Sequence, residues 1–202
     1  NTGDAGALLV SGNGITVTGN VFINSKANNS GVNGNGAAIY MTSSTNTIQY
    51  NSFYGTYATK YGGAIGTNGS TGNVISFNHF YNTTSFNLGG AIYASNPGET
   101  GLVISHNNFV GTQGRNTGYY PQVLYSVITA DYTVANNWWG SDYSAVTSCQ
   151  AAPALCETTV ASKPTLSGNR TAAQGAWPLC CAAPSDLTCV GATTLPAGQA
   201  CQ

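Results

Sequence analysis

The sequence predicts an all-β fold, a right-handed parallel β-helix (β-solenoid) of about five coils with a C-terminal disulfide-rich cap or extension. The first observation behind this prediction is a pattern of about 29 residues that recurs five times. The second is that each copy combines short β segments with connections rich in Gly, Asn, Ser and Thr. The third is composition: 42% of the 202 residues are hydrophobic, enough for a core, while only 5% are charged.

The main repeat is an asparagine with an aliphatic residue three positions before it and an aromatic residue two positions after it. The asparagines are Asn20, Asn51, Asn78, Asn107 and Asn137, at successive spacings of 31, 27, 29 and 30 residues. The aliphatic residues are Val17, Ile48, Ile75, Ile104 and Val134, and the aromatic residues are Phe22, Phe53, Phe80, Phe109 and Trp139. The shared spacing predicts that equivalent positions repeat in register.

A second apolar block precedes each of these segments at nearly the same interval. Its copies are Ala7-Leu8-Leu9, Ala38-Ile39-Tyr40, Ala64-Ile65-Gly66, Ala91-Ile92-Tyr93 and Val123-Leu124-Tyr125. The segments between blocks vary in length by several residues, which is typical of loops rather than of core.

One copy of about 29 residues is too small to bury its own apolar face, so the copies are expected to stack. In a parallel β-helix, equivalent positions lie about 4.8 Å apart along the axis. A leucine-rich repeat would require an L-x-x-L-x-L signature, which is missing. An antiparallel sandwich would show strands every eight to twelve residues or so without this register. The stacked solenoid therefore accounts for the pattern best.

The repeated asparagine has a physical explanation in such a stack. An Asn that turns inward at a sharp bend carries both a donor and an acceptor, so its amide is able to bond to the coils above and below. Asn20, Asn51, Asn78, Asn107 and Asn137 are therefore predicted to form a structural ladder.

Two of the repeats carry a family resemblance. The segments Gly62-Gly63-Ala64-Ile65 and Gly89-Gly90-Ala91-Ile92, each followed by an Asn-x-Phe strand, resemble the repeats of polymorphic outer-membrane proteins and related adhesin-like parallel β-helix proteins. The segment 136–141 is similar to the Asn-x-Trp-Gly ending of many secreted β-helix repeat proteins. The resemblance covers about residues 6 to 141. It implies the fold, but these families include adhesins, surface-layer and filament proteins and relatives of polysaccharide lyases, so it is weak for function.

The composition changes near residue 141, which predicts two parts: a parallel β-helix over residues 1–140 and a Cys/Pro/Ala-rich, disulfide-stapled cap or extension over residues 141–202. Five of the seven prolines and all six cysteines follow this boundary, whereas only Asn169 of the asparagines does. A cap would cover the strand edges of the last coil, which otherwise invite pairing with another chain. No comparable segment precedes the first coil, so that edge is expected to be covered by something else or to pair.

The cysteines favour an oxidising, extracellular environment, so we expect a secreted or cell-surface protein. They are Cys149, Cys156, Cys180, Cys181, Cys189 and Cys201, with no CxxC zinc spacing, and their pairing stays open among fifteen possibilities. Four sequons are candidate glycosylation sites: Asn28, Asn68, Asn82 and Asn169. The sequence has no apolar run long enough for a transmembrane segment.

The charges argue against several functions. The five Lys and Arg residues are scattered, so nucleic acid is not an expected partner. Before Ser141 the only acids are Asp4, Glu99 and Asp131, and no two occupy neighbouring coils of one column, as a pectin-degrading β-helix enzyme would require. His79 and His106 lie on adjacent coils but lack a third metal ligand. We therefore predict a protein that is not an enzyme and has no cofactor or metal.

Twelve tyrosines suggest a binding face. Tyr40, Tyr93 and Tyr125 share one predicted column, and Tyr54 and Tyr81 share another. Tyrosine combines an apolar ring with a hydrogen-bonding tip and suits contacts with sugars or proteins, although it also simply suits β structure. A second outward column, Thr16, Thr47 and Thr133, raises the hypothesis of an ice-binding face, but Val74 and Val103 interrupt it.

Together these observations predict a non-enzymatic extracellular structural module. It would be a subunit or segment of a cell-surface filament or adhesin that assembles through its coil ends or its tyrosine face, with itself or with other surface proteins. The alternative is a carbohydrate-binding adhesin domain with glycans as partners, and a relative of polysaccharide-active enzymes is the third hypothesis.

Overall fold

The computed structural model of the chain describes residues 5–28, 34–69, 71–114, 123–130 and 132–138, together with the strand backbone at 156–158 and 166–167. These residues form short β-strands joined by turns and bends, with no helix among them. No described helix is therefore long and apolar enough to cross a membrane.

Each coil begins with two three-residue strands and continues, where it is complete, with a third and a fourth. The strands are β1 (Leu8–Val10), β2 (Thr16–Thr18), β3 (Val21–Ile23), β4 (Lys26–Ala27), β5 (Ile39–Met41), β6 (Thr47–Gln49), β7 (Ser52–Tyr54), β8 (Tyr57–Ala58), β9 (Ile65–Thr67), β10 (Val74–Ser76), β11 (His79–Tyr81), β12 (Thr84–Ser85), β13 (Ile92–Ala94), β14 (Val103–Ser105), β15 (Asn108–Val110), β16 (Gln113–Gly114), β17 (Leu124–Ser126), β18 (Thr133–Ala135), β19 (Cys156–Thr158) and β20 (Leu166–Ser167).

The strands assemble into four parallel sheets. Sheet A has the order β1-β5-β9-β13-β17-β19 and sheet B the order β2-β6-β10-β14-β18-β20. Sheet C contains β3, β7, β11 and β15, and sheet D contains β4, β8, β12 and β16. Every fourth strand thus pairs with its counterpart one coil away, which confirms the predicted parallel solenoid over about four complete turns.

The turns are named here by their place in the stack. The first coil comprises residues 5–28, which contain β1 to β4, and the inner coils comprise residues 34–114, which contain β5 to β16. Strands β17 and β18 continue sheets A and B beyond the inner coils. Strands β19 and β20, from the segment predicted to be a cap, pair in parallel with β17 and β18. The six cysteines lie outside the described residues, apart from the backbone of Cys156 in β19, so the disulfide cap stays a prediction.

The core consists of inward-facing columns from sheets A, B and C. The register pairs Val17 with Ile48 in sheet B and Phe22 with Phe53 in sheet C. The rings of Phe22, Phe53, Phe80 and Phe109 stack at centroid separations of 5.0, 4.9 and 4.9 Å, with interplanar angles of 10° or less. The stacked aliphatic and phenylalanine columns therefore form a continuous apolar interior.

The corners between sheets require left-handed backbone. At the corner before the ladder asparagine the positive-φ residues are Gly19, Tyr50, Phe77, His106 and Asn136. A residue with a side chain is about 1 to 2 kcal/mol less stable in the left-handed backbone conformation than in the right-handed one. The corner before sheet A uses glycine instead, because a Cβ on Gly36, Gly62 or Gly89 would collide with a neighbouring carbonyl oxygen.

Small residues also line the side where sheet D approaches sheet A, with Ala27, Ala37 and Ala58 in one separate buried cluster.

Candidate functional site

The ladder asparagines form a directional hydrogen-bond column. In each step the backbone N–H and the Nδ2 of one asparagine donate to the Oδ1 of the next. The distances from backbone N to Oδ1 are 2.9 Å for Asn20 to Asn51, 3.0 Å for Asn51 to Asn78, 2.9 Å for Asn78 to Asn107 and 2.8 Å for Asn107 to Asn137. The side-chain donors lie at 3.1 Å in every step. Each inner Nδ2 also donates to a backbone carbonyl of the preceding coil, such as Asn78 to Ile48 at 2.8 Å. The column thus satisfies polar groups that the bend leaves inside the fold.

The first member of the column is bonded less completely than the others. Asn51, Asn78, Asn107 and Asn137 are at most 2% exposed. Asn20 is exposed, and its Nδ2 donates to Thr18 and Asn51 only. Its Oδ1 accepts no hydrogen bond from the described residues. The ladder therefore has an open acceptor at the first coil.

The first coil also carries most of the exposed apolar surface. Of the five large apolar side chains that are exposed in the described residues, four belong to the first coil: Leu9 at 57%, Ile15 at 43%, Val21 at 47% and Ile23 at 39%. The fifth is Phe86, 59% exposed, which follows β12 in an inner coil. The strands of the first coil are edge strands in all four sheets among the described strands. The exposed large apolar side chains of the described residues are thus concentrated at the first coil.

The first predicted tyrosine column is largely buried. Tyr40 and Tyr125 are each 6% exposed, and Tyr93 is half-buried. Gly66 occupies the same column between Tyr40 and Tyr93, where a Cβ would collide with the Tyr40 ring. The Tyr93 ring stacks on Tyr125 at 5.7 Å and on Tyr61 at 4.5 Å. Burial, followed by the nearby Tyr61, Tyr125 and Tyr40, raises the pKa of Tyr93 to about 12. The Tyr93 ring is therefore packed against two other rings, and Tyr40 and Tyr125 have little exposed surface.

The second tyrosine column surrounds a histidine. Tyr54 and Tyr81 are half-buried, and their ring centroids lie 5.9 and 6.4 Å from the His79 ring. His79 is 7% exposed, and its buried Nδ1 has no hydrogen-bond partner among the described residues. Burial lowers the pKa of His79 to about 4. Burial also raises the pKa of Tyr54, while a hydrogen bond with Ser52 lowers it. This cluster is a neutral aromatic patch at ordinary pH.

The two histidines do not occupy one column. His106 lies at the positive-φ corner and stacks on Phe77 at 4.7 Å, and Phe77 stacks on Tyr50 at 5.0 Å. Sequence reasoning missed this half-buried aromatic row, although the residue before each ladder asparagine was the signal for it. The part of the chain that the structure describes holds no group of three or more His, Cys, Asp or Glu side chains able to bind a metal.

The remaining predicted residues are placed as follows. Thr16, Thr47 and Thr133 lie in one sheet B column with Val74 and Val103 between them. The sequon residues Asn28, Asn68 and Asn82 are exposed, and Asn169 lies outside the described residues.

Glu99 is the other residue whose environment sequence reasoning missed. The sequence places it in a loop, yet its side chain is 0% exposed. It accepts hydrogen bonds from Thr67 and Asn73 of the preceding coil. The acid is therefore part of the interior rather than of a surface turn.

Comparison of the chain with known protein families, with curated proteins and with solved structures gives no match. The resemblance to adhesin-like repeat proteins therefore stays a prediction from the repeats alone.

Proposed function

We propose that this chain is a non-enzymatic structural module of an extracellular filament or adhesin, and that it associates through its first coil. The proposal includes a right-handed solenoid of about five coils with a C-terminal disulfide-rich cap or extension. The observation that carries it is the contrast between the first coil and the inner coils, since the first coil holds four of the five exposed large apolar side chains and a ladder acceptor that no described residue occupies.

The surface favours one kind of partner, a coil of the same repeat. Such a coil would place an asparagine whose N–H and Nδ2 donate to Asn20 Oδ1, as Asn20 donates to Asn51. It would also place an aromatic ring on the half-buried Phe22, as Phe22 stacks on Phe53. A second copy of this chain offers both groups. Since only 5% of the residues are charged, little charge repulsion opposes this contact.

Sedimentation velocity over a concentration series, with negative-stain electron microscopy of the same samples, tests the proposal. The wild-type chain is expected to form larger species as concentration rises. The double variant Leu9→Ser/Ile23→Ser is expected to remain monomeric, because it replaces two exposed apolar side chains of the edge strands. Phe86→Ser is the matched control, since Phe86 is equally exposed but lies in an inner coil.

The control is expected to associate as the wild type does. A wild-type chain that stays monomeric at every concentration would overturn the proposal. So would a control variant that loses association to the same extent as the double variant, because the apolar surface of the first coil would then not be the interface.

The carbohydrate-binding alternative has less support. Sugars bind to the free faces of aromatic rings, whereas Tyr93 stacks against two neighbouring rings and Tyr40 and Tyr125 are nearly inaccessible. A glycan array in which Tyr54→Ala or Tyr81→Ala removes a specific signal would revive this alternative.

A further inference from the structure

Glu99 lies in a polar cluster built from three coils. It ends a turn that begins at Asn96, whose backbone oxygen accepts the Glu99 N–H at 3.1 Å. Its carboxyl group reaches Thr67 and Asn73 of the preceding coil, and Asn73 in turn contacts Asn46 of the coil before that. Glu99, Thr67, Asn73 and Asn46 are all 0% exposed, so bulk water does not reach the cluster.

Removing the Glu99 carboxylate from water costs free energy, and no described cation offsets that cost. Among the residues that the structure describes, no Lys, Arg or His pairs with Glu99. A carboxylate in the interior without a cation is strongly disfavoured, and perturbed carboxyl groups of this kind are concentrated at functional sites. Burial raises the pKa of Glu99, and the hydrogen bonds from Asn73 and Thr67 lower it in part. The Glu99 carboxyl group thus lies within hydrogen-bond distance of a hydroxyl and a carboxamide, in an environment that disfavours its charged form.

The neighbours of this carboxyl group are a hydroxyl and a carboxamide. Thr67 Oγ1 donates to Oε1 at 3.2 Å and to Oε2 at 3.3 Å. Asn73 Nδ2 donates to Oε1 at 3.0 Å. Since both groups contact the same carboxylate oxygen, Glu99 is positioned to accept a proton from the Thr67 hydroxyl and to donate one to Asn73 Nδ2.

The carbonyl of the same carboxamide is polarised by the backbone. Asn73 Oδ1 accepts the Asn46 N–H at 3.0 Å, and this donor is fixed by the stacking of two coils. A backbone N–H in this position stabilises the negative charge that develops on a carbonyl oxygen under nucleophilic attack. Nucleophile, proton carrier, carbonyl and charge-stabilising donor are therefore all present within one buried cluster.

We propose that this cluster closes an ester bond between the Thr67 side chain and the Asn73 side chain, with Glu99 as the catalytic residue. Thr67 Oγ1 attacks Asn73 Cγ and transfers its proton to the Glu99 carboxylate, and the Asn46 N–H stabilises the oxygen anion. The Cγ–Nδ2 bond then breaks as Glu99 returns the proton to the nitrogen, which leaves as ammonia. The products are one Oγ1–Cγ ester and one ammonia molecule, with no oxidant, metal or other reactant. The reaction occurs once and only within the chain.

The surrounding turns hold these groups in place. Asn96 Nδ2 donates to the Gly69 oxygen at 2.7 Å, which fixes the turn of Glu99 against the loop between Thr67 and Asn73. Thr129 donates its N–H and its hydroxyl to the Pro97 oxygen at 3.0 and 2.8 Å from the opposite side. This rigidity favours a reaction within the chain, because the entropy cost of bringing the groups together has already been met in folding. Exclusion of water protects the ester from hydrolysis.

Peptide mapping by mass spectrometry tests the proposal on the full chain produced in bacteria. Trypsin releases residues 61–115 as one peptide, which contains Thr67, Asn73 and Glu99. After prolonged incubation of the folded protein, this peptide is expected to be lighter by one ammonia. Fragmentation is expected to give no backbone ions between residues 67 and 73. Hydroxylamine should open the ester and convert Asn73 to a hydroxamate.

Succinimide formation at asparagine also releases ammonia, and Asn68-Gly69, the only Asn-Gly sequence in this peptide, is the most reactive site for it. The variant Asn68→Ser removes that reaction and is expected to keep the mass loss. Thr67→Val and Glu99→Gln, which keep the shapes of the side chains, are expected to abolish it. Thr71→Val is the matched control in the same loop, since Thr71 is exposed and bonds to Thr100 instead.

The mass of the wild-type peptide decides the question even where a variant folds poorly. A wild-type peptide with the full sequence mass after incubation would overturn the proposal. A mass loss that Thr67→Val retains, or that Asn68→Ser abolishes, would overturn it as well. The association of the first coil is measured separately, so failure of one proposal leaves the other intact.

Discussion

The first coil and the inner coils carry the same residue types in the phenylalanine and asparagine columns, but the environments of these residues differ. Phe53, Phe80 and Phe109 are at most 1% exposed, whereas Phe22 of the first coil is half-buried. Asn78 is 2% exposed, whereas Asn20 is exposed. The difference shows that burial in this molecule comes from a neighbour on each side along the axis rather than from the coil itself. Identical substitutions in the two regions are therefore expected to have unequal effects.

Phe80→Ala is expected to cause the largest loss, about 4 to 5 kcal/mol in the free energy of unfolding, because it removes a fully buried ring with stacking partners on both sides. Phe22→Ala is expected to cost about 1 to 2 kcal/mol, since that ring is half-buried and stacks on one described ring. Guanidinium denaturation followed by circular dichroism measures both. Equal losses would show that the end of the stack is as well packed as its middle.

The ladder provides a second matched pair. Asn78→Ala removes the acceptor of the Asn51 N–H and the donor to the Ile48 oxygen, both of which are inside the fold. We expect a loss of about 3 kcal/mol, since each buried polar group left without a partner costs about 1 to 3 kcal/mol. Asn20→Ala is expected to cost less than about 1 kcal/mol, because its polar groups are exposed to water. The same denaturation experiment tests this pair, and a larger loss for Asn20→Ala would contradict it.

A smaller effect is expected from the pH dependence of the inner coils. Unfolded His79 takes up a proton near its ordinary pKa of 6.5, whereas in the folded chain it does so only near pH 4. The unfolded state therefore binds more protons between these values, so stability falls as the pH falls from 6.5 towards 4. We expect a loss of about 2 kcal/mol by pH 5. The first coil has Val21 at the equivalent position of sheet C and lacks this dependence.

The control for this prediction is His79→Phe, which keeps a ring between Tyr54 and Tyr81 but does not titrate. The difference in stability between wild type and variant is measured from pH 5 to 7.5, so that contributions from Glu99, present in both proteins, cancel. A difference that does not change with pH would show that His79 is protonated as easily in the folded chain as in the unfolded one.

The columns were predictable from the sequence because each depends on one side-chain type repeated at one spacing. Ile48 and Asn51 could be assigned in this way, since stacking copies leaves few other positions for them. Tyr50, Phe77 and His106 were not recognised as one row, because aromatic residues seldom adopt left-handed backbone and their types differ between coils. The burial of Glu99 was not predicted for another reason. It lies in a loop, and such loops differ in length between coils. The spacing of loop residues therefore does not predict which of their side chains are buried.

The asparagine ladder gives the solenoid a polarity. Every described step has the carboxamide oxygen directed towards the preceding coil and the N–H donors towards the following one. Two first coils placed face to face would therefore bring acceptor against acceptor, whereas a coil that directs its N–H donors at Asn20 would continue the column. A partner that extends the ladder must consequently present its donor face, so the first coil distinguishes between the two faces of an incoming coil.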